Sequence, residues 1–188
     1  GDAAGAAERH REALAITEAW FGPGHPKTAS NLTMLGRELV KLNQTQEALS
    51  LLERAAAIQQ RHFGENHPRV ASALNELGMS LNLAGESAEA YYRRAGAIWR
   101  AVHGDTHYLN AIALSNVASV ELETGRMDRA ESLMREALRR FQSALGAQHS
   151  NTGIAHLKLG RVLVRMKKFA AARQEIQTGL RILEPQME

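Results

Sequence analysis

The sequence predicts an all-α chain: a right-handed α-solenoid of about nine helices stacked in pairs. Three observations predict it. Ala, Leu, Glu and Arg dominate, prolines number only four, and runs of Val, Ile and Thr are missing, which favours helix over strand. A short stretch returns along the chain: "FGPGHPKTASNLTMLG" from Phe21, "FGENHPRVASALNELG" from Phe63, "HGDTHYLNAIALSNVA" from His103 and "LGAQHSNTGIAHLKLG" from Leu145. Within each copy the apolar residues fall on one helical face, as with Leu32, Leu35 and Leu39 at i, i+3 and i+7.

The first element is a lone helix from Ala3 to Trp20. Four helix pairs follow, over about 26–62, 68–102, 108–144 and 150–184. In each pair, helix A carries the Leu stripe: Leu32, Leu35, Leu39; Leu74, Leu77, Leu81; Leu114, Val117; Leu159, Leu163. Small residues sit at fixed offsets: Gly36, Gly78, Ala118 and Gly160 on helix A, then Ala48, Ala90, Ala130 and Ala172 on helix B. Larger side chains there would overpack the helix contact. The turn between A and B falls at Asn43-Gln44, Gly85-Glu86, Thr124-Gly125 and Lys167-Lys168, where glycine suits a left-handed cap. A corner after helix B carries Gly22, Gly64, Gly104 and Gly146. Pro26 and Pro68 open the next helices, where the missing N–H costs nothing, and Pro185 stops the last.

The histidines of the corners are His25, His67, His107 and His149, spaced by 42, 40 and 42 residues. The short middle step places a two-residue deletion between Ala90 and Arg93. The expected division is one array: a half repeat over 1–22, then repeats over 23–64, 65–104, 105–146 and 147–188. A unit of this size buries too little by itself, so stacking neighbours must stabilise it.

Composition narrows the function. The chain has no cysteine, which excludes disulfides, thiolate catalysis and Cys-ligated zinc and fits a reducing, cytoplasmic compartment. A net charge of +3, from 23 basic and 20 acidic residues, is no nucleic-acid footprint. Aromatics are too few for a row of base-stacking platforms. No apolar run approaches the roughly 20 residues of a membrane span. Nothing at the start reads as a secretory signal, and an opening at Gly1-Asp2 without Met suits a processed or excised piece.

Three chemical sites are weighed and set aside. "FGPGHPKT" has the glycines and Lys-Thr of a phosphate loop, but Pro26 precedes Lys27, a helix precedes the loop, and the second copy carries Arg69-Val70 there. A repeat corner explains it. The four corner histidines stand one per repeat, so capping helix A or packing the corner fits them better than a metal needing about four converging ligands. No nucleophile, base and orienter fall into a motif. The chain is therefore expected to be no enzyme, and to hold no metal and no cofactor.

The pattern Leu32-x2-Leu35-Gly36-x2-Leu39 … Ala48-x3-Leu52 … Ala55 resembles a tetratricopeptide repeat. The 42-residue unit with its Gly-x-x-His-Pro corner resembles the kinesin light chain subgroup. Copies three and four depart from the pattern: Glu121 stands at an aromatic or Leu position, His156 replaces the first Leu, and Gly179 replaces an Ala.

The resemblance implies a protein-interaction scaffold whose A helices line a concave groove. Counted from Ala29 in copy one, the groove positions it implies are the second, fifth, ninth, twelfth and thirteenth of each unit: Ser30, Thr33, Arg37, Val40 and Lys41 there. Partner-binding residues on this reading are Arg37, Lys41, Asn75, Met79, Asn82, Ser115, Arg161 and Arg165. Arg37/Lys41 and Arg161/Arg165 are i, i+4 pairs that share a face. With softer residues between them, they suit a peptide whose acidic residues flank an apolar one. Asn75 falls where the subgroup places a peptide-binding asparagine, while the other copies have Thr33, Ser115 and Leu157. A second reading is self-association or docking within a larger regulatory protein, because Ala6, Ala13 and Ile16 of the lone helix match the interface positions Ala48, Ala55 and Ile58. A third, nucleic-acid binding through Arg135, Arg139 and Arg140, is weakened by Glu131 and Glu136, which make that surface a salt-laced exterior.

Overall fold

The structure, a computed structural model, describes residues 2–83 and 88–184. Among the described residues there are nine α-helices and no strand. They are α1 (Ala3–Phe21), α2 (Pro26–Lys41), α3 (Thr45–Phe63), α4 (Pro68–Leu83), α5 (Glu89–His103), α6 (Tyr108–Glu123), α7 (Met127–Leu145), α8 (Ser150–Arg165) and α9 (Phe169–Leu183). The all-α class and the tandem helix–turn–helix pairs are those the sequence predicts. The turn expected at Gly85-Glu86 and the stop at Pro185 lie outside the described residues. The chain divides into two compact units, Gly1–Ile98 and Trp99–Glu188.

The A helices, α2, α4, α6 and α8, start by one device. His25, His67, His107 and His149 each accept, at Nδ1, the backbone N–H two residues on, at 3.1, 3.2, 3.3 and 3.1 Å. Each ring thereby satisfies one of the orphan donors of a helix N-terminus. Three of these rings also stack on an aromatic: His25 on Phe21, His67 on Phe63, His107 on His103, with centroids 4.5–4.9 Å apart. Lys27, the suspected phosphate lysine, lies 4.3 Å over the Phe21 ring. Thr28 corrects the sequence reading, which gave it no role. It is fully buried and its Oγ1 donates to the Gly22 carbonyl at 2.9 Å. Thr152 ties Gly146 in the same way at 2.8 Å, and Asn110 Nδ2 ties Gly104 at 2.7 Å.

The ends of α2, α6 and α8 follow a second device. After α2, Gln44 N–H bonds the Leu39 carbonyl and Asn43 N–H bonds the Val40 carbonyl, at 2.9 and 3.0 Å. These are the two bonds of a Schellman cap, with Asn43 at φ +60°. Gly125 after α6 and Lys167 after α8 hold the same place, at φ +80° and +60°. A lysine pays for that conformation through its Cβ. Lys167→Gly is expected to stabilise unit 2 by about 1 kcal/mol, read as a higher midpoint in chemical denaturation at unchanged slope.

In unit 1, α1, α2 and α3 bury Ala7, Leu35, Leu39 and Ala48 in one cluster and Ala29, Leu32, Ala55 and Ile58 in a second. The small residues work as expected. A Cβ on Gly36 would stand 2.8 Å from Leu52 Cγ, and one on Gly78 2.9 Å from the Tyr92 ring. In unit 2, α6 to α9 enclose Ala118, Met134, Phe141, Leu159 and Leu163, and a Cβ on Gly160 would stand 2.5 Å from Ile176.

The three departures of copies three and four each have a physical reason. Glu121 takes the place of Leu39, Leu81 and Leu163; it is fully buried and paired with Arg126 and Arg129. Gly179 is required because a Cβ there would stand 2.7 Å from the Gly153 carbonyl. His156 Nδ1 lies 2.6 Å from Glu175 Oε2, so a polar pair stands at positions where copy one has Leu32 and Leu51 and copy three has Leu114 and Leu133. Leu at either position alone strands the other polar group, at about 1–3 kcal/mol. His156→Leu with Glu175→Leu is expected to recover most of that loss. A double-mutant cycle in urea should show coupling of about 0.5–3 kcal/mol; additive losses would contradict the pairing.

Candidate functional site

The A helices of successive repeats lie side by side within each unit, α2 beside α4 and α6 beside α8. The sequence-predicted residues divide between these two faces.

On the unit 1 face, Arg37 is exposed, with Nε 3.3 Å from Glu76 Oε2. Lys41 is exposed, with Nζ 2.7 Å from Glu38 on its own helix. Asn75 is buried and its Nδ2 faces Met79 Sδ at 3.6 Å; Met79 is exposed and Asn82 half-buried. Glu76 has its pKa raised above 4.5, because burial outweighs the attraction of Arg37. Burial, then the Glu76 charge, also push the Tyr92 hydroxyl up.

On the unit 2 face, Ser115 is buried. Its Oγ accepts from Lys158 Nζ at 3.0 Å, and Asn116 Oδ1 accepts from the same ammonium at 3.3 Å. Arg161 is exposed and reaches Glu123 at 2.6 Å. Arg165 is exposed on the same helix. Lys158, Arg161 and Arg165 follow at i, i+3 and i+7, so they form one stripe along α8. Ile154 and Val164 are exposed on the same helix. Burial, then the Arg161 charge, lower the pKa of Lys158 below 10.5. The ammonium is thus held among neutral acceptors, while its charged neighbour Arg161 is already matched by Glu123.

Lys158 escaped the sequence reading for a definite reason. It sits at the sixth position of its unit, one beyond the fifth-position row that was read. That sixth row is Met34, Glu76, Asn116 and Lys158. The structure turns it toward the neighbouring A helix, as the Lys158 bonds to Ser115 and Asn116 show. The available signal was a carboxylate and an ammonium at equivalent places in a row otherwise uncharged.

The Arg-rich surface of α7 is saturated with acids. Arg135 pairs with Glu131 at 2.8 Å, Arg140 with Glu136 at 2.7 Å, Arg139 also with Glu136, and Lys168 with Glu131 at 2.6 Å. These hydrogen bonds lower the pKa of both glutamates. Among the described residues no three His, Cys, Asp or Glu side chains stand where a metal ion could be held, and no helix is long and apolar enough to cross a membrane.

The tetratricopeptide repeat family model matches residues 1–61, 41–90, 69–125 and 109–184. The chain belongs to the tetratricopeptide repeat family. No curated protein matches this tetratricopeptide repeat chain. Solved structures share its fold. A kinesin light chain protein of Podosopora anserina with nearly identical TPR-like repeats is 20% identical with a TM-score of 0.74, covering 100% of this chain and 90% of its own. BtubC (BKLC) from P. vanneervenii is 21% identical with a TM-score of 0.77, covering 99% and 75%. A Rap protein solved in complex with Competence and Sporulation Factor is 17% identical with a TM-score of 0.72, covering 85% and 43%. At such identities the likeness is one of fold. Tetratricopeptide repeat proteins in general act as protein–protein interaction scaffolds.

Proposed function

We propose that this chain is a non-enzymatic scaffold whose A-helix face takes up an extended segment of a protein partner, with acidic side chains meeting α8. The observation that carries the reading is Lys158: a half-buried ammonium whose hydrogen-bond partners, Ser115 and Asn116, are uncharged. A partner carboxylate would supply the missing charge. Arg161 and Arg165 extend the cationic stripe, and exposed Ile154 and Val164 offer apolar contact beside it. Arg161 can exchange Glu123 for a partner acid at little cost, since an exposed pair is worth about 0–1 kcal/mol. The surface is held by packed helices, so little is lost in ordering it on binding. The complex seen for the Rap protein of similar fold is consistent with such a use. The 42-residue spacing and the Gly-x-x-His corners favour the kinesin light chain-like subgroup.

The test is a titration of the full chain with short peptides in which Asp or Glu flank Leu, against the same peptides with Asn or Gln. The acidic series is expected to bind at least about tenfold more tightly, with the margin shrinking as salt screens it. Equal affinities for the two series would end the acidic reading.

A second reading, self-association through α1, has its own observation. Ile16 is 59% exposed and Trp20 80%, whereas Ile58, the equivalent of Ile16, is 1% exposed. Light scattering across a concentration series decides it: mass should rise with concentration, and less so in Ile16→Ser with Trp20→Ser. A constant monomer mass would rule it out.

A further inference from the structure

Unit 1 contains a pocket of about 230 Å³ between α2 and α4, floored by Gln59 of α3. Its polar lining has an unusual balance. Ser30, Thr33 and Ser72 have each given their hydroxyl proton to the carbonyl one turn back, at 3.2, 3.0 and 3.2 Å. What they turn outward is lone pairs. Gln59 is 6% exposed, and its Oε1 is buried with no hydrogen-bond partner. Buried polar atoms are nearly always paired, and because Gln59 lines the pocket, a donor placed there would give its Oε1 the partner it lacks once the amide turns toward it. Glu76 adds a carboxylate, with Arg37 on one oxygen at 3.3 Å. That single cation does not offset the burial of the carboxylate, whose pKa stays raised. Arg69, the pocket's own cation, lies over the Phe63 ring, 5.2 Å from its centroid. Met34 and Ala73 supply an apolar wall.

We propose that this pocket binds a basic side chain, lysine or arginine, of a protein partner. The alkyl stem lies along Met34 and Ala73, and the cationic head donates to Gln59 Oε1 and the Glu76 carboxylate. An ammonium or guanidinium carries only donors, which is what an acceptor-lined pocket lacks. An acidic side chain would meet Glu76 and the same lone pairs, and would be repelled. The subsite deepens the scaffold reading by giving the A-helix face of unit 1 its own specificity; it makes no use of α8.

The experiment is NMR titration of the full ¹⁵N-labelled chain with the Nα-acetyl methylamides of lysine and arginine, and with those of norleucine and glutamate. The basic compounds are expected to shift the Gln59 side-chain amide and the backbone amides of Ser30, Thr33, Ser72 and Glu76, saturating at a common affinity. Glu76→Gln and Gln59→Leu should each weaken that affinity at least about fivefold. Glu76→Gln is also expected to fold more stably at pH 7 than the wild type, so weaker binding would not reflect unfolding. Equal shifts from norleucine, preference for glutamate, no shift from the basic compounds, or unchanged affinity in Glu76→Gln would each overturn the proposal. The acidic-peptide titration reads α8 of unit 2 instead, so a failure there and a failure here are separate results.

Discussion

Replacing Arg126 and Arg129 together by alanine is expected to destabilise unit 2 by about 3–5 kcal/mol. The reason is Glu121, whose side chain is fully out of solvent at a position where three other copies place leucine. The two arginines are exposed at the C-terminal end of α6 and the start of α7. They bring their charge to the carboxylate while staying hydrated themselves. Removing both leaves a buried carboxylate without these two charges. Glu121→Leu should behave oppositely. A well-packed apolar group in place of a buried ion pair is often neutral or stabilising by about 1–4 kcal/mol, and the exposed arginines simply stay in water. Urea denaturation of the three proteins checks this: the midpoint should fall sharply for the double alanine variant and hold or rise for Glu121→Leu. Equal losses in both would mean that Glu121 is held by something other than charge.

The second large effect is on binding. Lys158→Glu with Arg165→Glu is expected to weaken acidic peptides by about 30-fold or more, roughly 2 kcal/mol. Lys158 is the greater part, because a charge interaction in a partly dehydrated site is screened less than one at the rim. Arg9→Glu with Arg173→Glu makes the same change in net charge on α1 and α9 rather than on α8 and should cost little. If both double variants weaken binding equally, net charge rather than α8 governs the affinity.

Much of the fold was legible because it is written four times. The corners gave the period, and the period let Gly36, Gly78 and Gly160 be read as close-approach positions before any coordinate; their partners Leu52, Tyr92 and Ile176 came only with the structure. The capping role of the histidines was legible too, since one residue per repeat cannot converge on a metal. Other features were illegible for identifiable reasons. Thr28 looked like an accident of one copy, because its partner is a backbone carbonyl and its equivalents differ in kind: Val70, Asn110 and Thr152. Glu121, His156 and Gly179 looked like loosening of the repeat. Each in fact has a partner that compensates it: Arg126 with Arg129, Glu175, and the Gly153 backbone. Compensation of this kind lies across helices and leaves no local signal. The site was legible in outline only. Side-chain type can nominate Arg37, Lys41 and Arg161, but it cannot show that Glu76, Glu38 and Glu123 already pair with them. Nor could it separate Lys158 from any other helical lysine, because its distinction is its half-buried place against Ser115 and Asn116.

The most direct test of the binding reading is to map an acidic, Leu-containing peptide onto the full ¹⁵N-labelled chain by NMR. The largest shifts are expected at Ile154, Lys158, Arg161, Val164 and Arg165 on α8 and at Ser115 and Asn116 beside them. Shifts concentrated instead on the arginines of α7, Arg135, Arg139 and Arg140, with α8 unmoved, would contradict it.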